Sequence, residues 1–171
     1  MKPAKKLSMF HVISVLLPVA LLSACSDAQH PLDRQLSQLK PTVIVPLEGL
    51  PWPTGTLICP LTPYQSELPG DSSTAQRVNA FLAKKQFQGD EGHWSLVVVK
   101  PESAGEAGIE QLVFKRNNYD VITSVEQIGK STDAVPAAFE PKECVAVQDA
   151  RVLVTSSGAS NRKRISFGTE K

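Results

Sequence analysis

A chain of 171 residues is long enough for one domain with a real core. Its 18 Lys+Arg against 17 Asp+Glu leave no global field to draw it to nucleic acid. With 13 prolines and only 6% aromatic residues, short elements joined by ordered loops are expected.

Lys2, Lys5 and Lys6 open the chain with positive charge, and Met9 to Leu22 is almost wholly apolar. The apolar run is shorter than the roughly 20 residues that span a bilayer, and Pro18 interrupts it. This is the pattern of a secretory signal. It ends in Leu22-Ser23-Ala24-Cys25, which resembles the lipobox of bacterial lipoproteins. The resemblance implies cleavage before Cys25, a diacylglycerol on its thiol and acylation of the new amine. Ser26, where Asp would favour inner-membrane retention in that family, implies the outer membrane, facing the periplasm. The competing reading is an ordinary cleaved signal. The resulting division is signal peptide 1–24, lipid-anchored tether 25–40 and folded domain 41–171. Removing the leader leaves 15 basic against 17 acidic residues, a charge near −2. With Cys25 taken by lipid, Cys59 and Cys144 remain, and an oxidising compartment predicts a disulfide between them. Two buried free thiols are the alternative.

Leu32, Leu36 and Leu39 recur at helical spacing within the polar tether and suit one short amphipathic helix, with a plain spacer as the competing reading. Thr42 to Val45, between Pro41 and Pro46, reads as an edge strand, and Thr56 to Cys59 as a second strand. Trp52 and Tyr64 sit in proline-shaped loops. Ser73 to Gln76 reads as a capping box opening a helix whose face is Val78, Phe81 and Leu82, and which Gly89 to Gly92 should stop. Trp94, Leu96 and Val98 alternate with Val97 and Val99 in a strand with both faces partly buried. Ile109 to Arg116 alternates, with Leu112 and Phe114 toward the core. Asn117-Asn118 reads as a hairpin turn into a partner strand from Tyr119 to Ile128. Glu143 to Gln148 and Arg151 to Thr155 read as a second hairpin. Ser156 to Asn161 reads as a turn and Ile165 to Phe167 as a last strand. The expected fold is α+β, a single domain of mostly antiparallel sheet with one packed amphipathic helix.

Chemistry-bearing groups are sparse. There is no His-Glu-x-x-His, Cys-x-x-Cys or Gly-x-Ser-x-Gly motif. Gly89-Asp90-Glu91-Gly92-His93 brings two carboxylates and an imidazole together, a set suited to a metal or a shared proton; a solvated turn is the competing reading. Gly129-Lys130-Ser131-Thr132 resembles the end of a phosphate loop, but Ser124 stands where the first glycine belongs, so it reads as a loop. Arg162-Lys163-Arg164 suits acidic lipid or an acidic partner, or is a solvated turn. No metal, cofactor or catalytic residue is expected. Trp52 and Tyr64 are the expected partner contacts, with core packing the alternative for Trp52. A small disulfide-stapled domain on a lipid tether resembles, in layout and size, the immunity proteins that block toxic effectors such as type VI secretion phospholipases. That likeness implies a non-catalytic inhibitor with a protein partner. An accessory lipoprotein of an envelope or secretion machine is the alternative, and a small hydrolase the third reading.

Overall fold

The computed structural model describes residues 29–41, 43–101, 108–116, 119–123, 136–156 and 162–171. Cys25 and its lipobox, the Asn117-Asn118 turn, the Gly129 to Thr132 stretch and residues 157–161 lie outside them.

The chain is α+β, mostly strand. Helix α1 spans Pro31–Gln38 and α2 Ser73–Lys84. Strands β1 (Val43–Pro46), β8 (Arg151–Ser156), β9 (Lys163–Glu170) and β5 (Tyr119–Val121) form one sheet in that order, with β6 (Phe139–Pro141) also on β9. Strands β4 (Ile109–Lys115), β3 (His93–Val99), β2 (Leu57–Leu61) and β7 (Val145–Ala146) form the other. Pairing is antiparallel except for β5, which runs parallel to β9. Among the described residues no helix is long and apolar enough to cross a membrane.

The two sheets pack face to face. Trp94, Leu96, Val98 and Ile58 from one meet Val152, Ile165, Phe167 and Tyr119 from the other in a single core. Val97, Val99, Cys59 and Leu61, on the opposite face of β2 and β3, meet Ala75, Val78 and Leu82 of α2. Alternation along β3 thus serves both layers, as its sequence predicts. Cys59 and Cys144 form a disulfide across a separation of 85 residues. Loop closure of that length stabilises by up to about 4–5 kcal/mol in the chain-entropy treatment.

Several expectations are corrected. Two helices pack on the sheets rather than one, because residues 31–38 are not part of a free tether. Leu32 and Leu36 are fully buried (0% exposed) in the inter-sheet core. The His30 ring Nδ1 caps α1 by accepting from the Leu32 amide at 3.2 Å, and Pro31 fills the first turn, where its missing donor costs nothing. Lys163 Nζ donates to the carbonyls of Ser37 and Leu39, satisfying acceptors that the end of a helix leaves free. The Tyr119 hydroxyl donates to Asp33 Oδ1 at 2.5 Å.

Helix α2 is capped one residue earlier than expected. The Ser72 hydroxyl accepts from the Ala75 amide, and the Gln76 side chain donates to the Asp71 carbonyl. The helix also ends before Gly89. Gln86 takes the left-handed conformation (φ +53°), and the Phe87 and Gln86 amides close on the Leu82 and Ala83 carbonyls, a Schellman-type stop without glycine.

Neither expected hairpin forms. β5 leaves β4 for the other sheet, where its register pairs Tyr119 with Lys163 and Val121 with Ile165. Strand β7 pairs with β2, then a short 3₁₀ turn at Val147–Asp149 carries the chain across to β8. The β1 edge strand, the β2 and β4 strands and the terminal strand are found where the pattern puts them, the last lengthened to eight residues.

Two measurements test this packing. Leu82 is buried under α2 while Phe81 is only half-buried, its ring facing Lys85 Nζ at 4.8 Å. Leu82→Ala is therefore expected to cost about 2–5 kcal/mol in urea unfolding, and Phe81→Ala less. Burial first, and the Asp33 bond second, push the Tyr119 phenol far above its ordinary value. An unfolded tyrosine ionises near pH ~10, so this contribution is full below that pH and is lost above it, where only the unfolded chain releases the proton. Unfolding free energy measured from pH 9 to 11.5 should fall more steeply in the unsubstituted protein than in Tyr119→Phe, by about 1.4 kcal/mol per pH unit.

Candidate functional site

Strand β2 ends at Leu61 and runs into Thr62-Pro63-Tyr64. Tyr64 is 65% exposed and has φ +66°, a backbone conformation uncommon for a bulky residue. Neighbouring contacts hold it there. Its amide donates to the Asp90 carbonyl at 3.3 Å, and the Gln65 amide donates to the Thr62 carbonyl at 3.0 Å. Gln65 Oε1 accepts from both the Thr62 amide and hydroxyl. The Gly89 amide donates to the Ser66 hydroxyl, and a Cβ at Gly89 would meet the Tyr64 and Gln65 backbones at 2.7–2.8 Å. The 62–66 turn is thus seated on the 89–92 turn, and only glycine fits between them.

Tyr64 stands at the mouth of an open cleft of about 300 Å³. Thr62, Pro63, Arg116, Asp120, Val121, Ile122 and Arg164 line the rest. The strands fix the polar members. Arg116 follows β4, and the parallel β5–β9 register sets Asp120 beside Arg164. Asp120 Oδ1 accepts from Arg116 Nε at 2.5 Å and lies 3.4 Å from Arg162 Nη2, which also donates to the Arg116 carbonyl at 3.2 Å. Asp120, first through its hydrogen bond, holds the Arg116 guanidinium more firmly protonated. Partial loss of water, then the Glu91 carboxylate, raises the Tyr64 phenol above its usual value.

The other expected site residues fall elsewhere. Trp52 is a correction: at 9% exposure it packs in the inter-sheet core, stacks on His30 at 5.9 Å and donates Nε1 to Glu110 Oε1 at 2.9 Å. Its ring faces the core, so it is no surface anchor. His93 Nδ1 lies 2.8 Å from Asp90 Oδ1, which also accepts the Gly92 amide at 2.7 Å. His93 first, and the Gly92 amide, hold the Asp90 carboxyl below the usual carboxylate range. Among the described residues no group of three His, Cys, Asp or Glu could hold a metal ion. The Asp90–His93 pair shapes the turn that supports Tyr64.

The basic triplet is not a solvated turn. It enters β9 and divides three ways: Arg162 to Asp120, Lys163 to the end of α1, and Arg164 to the cleft. Sequence reasoning missed Arg116, Asp120 and Arg164 as one group. No motif links them, and the parallel pairing that joins them replaces an expected hairpin. Comparison with family models, curated proteins and solved structures finds no match to this chain.

Asp120 is the electrostatic keystone of the cleft. Asp120→Asn leaves Arg116 and Arg162 facing each other across a neutral amide, and is expected to cost about 1–3 kcal/mol, the partial exposure of the group keeping it below a buried-pair loss. Urea unfolding in low and high salt checks it: salt should narrow the difference.

Proposed function

We propose that this protein is a lipid-anchored, non-catalytic binding protein of the periplasmic face, acting as an immunity-type inhibitor that occludes a toxic secreted effector such as a phospholipase. The lipobox at Cys25 and the leader before it support the location. The observation that carries the binding role is Tyr64: a large, exposed aromatic ring fixed in a strained turn beside an arginine-lined cleft. Tyrosine and arginine are the residues over-represented among energetic anchors of interfaces. A turn whose backbone is already ordered loses little freedom on binding. Both described histidines are spent on local structure, His30 capping α1 and His93 bonded to Asp90, which suits occlusion better than acid–base chemistry.

The anchor would sit close to the fold. With α1 packed in the core, Ser26 to Gln29 alone separate Cys25 from His30, at most about 18 Å of extended chain. A partner working at the membrane surface would meet a high local concentration of the domain.

The test is purification of the full chain from its native envelope, with the mass of its mature form. The expected result is an acylated Cys25 and a co-purifying toxic enzyme whose activity falls on titration with the protein. Recovery with a stable secretion or outer-membrane machine would transfer the function to the accessory-lipoprotein reading. Turnover of a substrate that His93→Ala abolishes would overturn both.

A further inference from the structure

We propose that the cleft beside Tyr64 is a carboxylate site, taking the aspartate or glutamate side chain of a protein partner between Arg164 and the Tyr64 ring. The inference rests on the binding function above and names the chemistry of its site.

The argument begins with an imbalance. Three guanidiniums, from Arg116, Arg162 and Arg164, gather around the one carboxylate of Asp120. Asp120 is committed to the first two. Arg164 is its register partner across the β5–β9 pair, yet among the described residues its guanidinium makes no hydrogen bond or ion pair. A half-buried guanidinium beside a cleft, with its planar donor fork unused, matches a carboxylate in a two-bond geometry. The Asp120 carboxylate in the same wall, with Glu91 against Tyr64, limits the positive surplus to what a monoanion balances.

The walls select the source of that carboxylate. Pro63 and Ile122 give the cleft an apolar side that suits the methylene stem of an acidic side chain. The volume of about 300 Å³ is at the lower end for ligand pockets, enough for a side chain and too small for a diacyl lipid. Tyr64, exposed above the mouth, is placed to cover the partner's backbone around the inserted residue.

The experiment uses the full chain in its native envelope carrying Tyr64→p-benzoylphenylalanine, irradiated in place, with the adduct mapped by mass spectrometry. The expected adduct is a protein segment containing Asp or Glu. Arg164→Glu and the milder Arg164→Gln, each checked for an unchanged melting profile, should lower its yield at least tenfold. Exchanging the mapped acidic residue for lysine should abolish the adduct with Arg164 and restore it with Arg164→Glu. An adduct with phospholipid, an adduct that survives both Arg164 substitutions, or no adduct at position 64 overturns the carboxylate site. The binding function fails separately: it is lost if nothing co-purifies with the unsubstituted chain. A partner that still co-purifies with Arg164→Glu keeps the function and moves its surface elsewhere.

Discussion

Trp94, Leu96 and Val98 on one side of β3, and Val97 and Val99 on the other, are all buried, so this strand has no wet face. Such a strand is stable only with an apolar layer above it and another below. The rest of the chain supplies them. Helix α2 covers one side, the β1–β8–β9–β5 sheet covers the other, and α1 adds Leu32 and Leu36 to that second layer. The Cys59–Cys144 bond then ties β2, the neighbour of β3, to the segment entering β7. Each layer can be located by asking which face of β3 it dries.

What the sequence made legible was set by range. The double burial of β3, the α2 face and the cysteine pairing rest on local period or simple arithmetic, and they hold. The hairpins fail where local turn chemistry competes with distant pairing. Asn117-Asn118 suits a tight turn, but Tyr119 and Val121 complete the inter-sheet core only by joining β9 in the other sheet. The spacing of Leu32, Leu36 and Leu39 suits helix α1, but its place in the core was hidden for the same reason. Its segment is polar by composition, and the groups that hold it, Tyr119 and Lys163, lie 86 to 126 positions downstream. Trp52 shows the limit in the other direction. A proline-rich loop says that a ring is fixed, not whether it faces in or out.

The cleft was the least legible part, because charge in a sequence says nothing of its partners. Arg162-Lys163-Arg164 reads as a patch only until the strand is drawn. Alternation along β9 and the end of β8 then send the three cations to different tasks. Two are used up in holding structure. Lys163 is partly desolvated in doing so, which lowers its pKa and marks how closely the helix end sits against it. Arg164 is what remains.

The same two strand segments therefore serve the helix and the cleft. Tyr119 on β5 and Lys163 on β9 hold α1, and their immediate neighbours Asp120 and Arg164 line the cleft. Successive residues of a strand point to opposite sides, so the two tasks do not compete for side chains or for space. This has a mechanical consequence if Cys25 carries lipid. Tension on the chain reaches the fold through α1, and Tyr119 and Lys163 pass it to β5 and β9 as a whole. The register that sets Asp120 against Arg164 is the register that joins the two strands holding α1. Were the chain anchored at Cys25, its anchor and its cleft would share one frame without sharing residues.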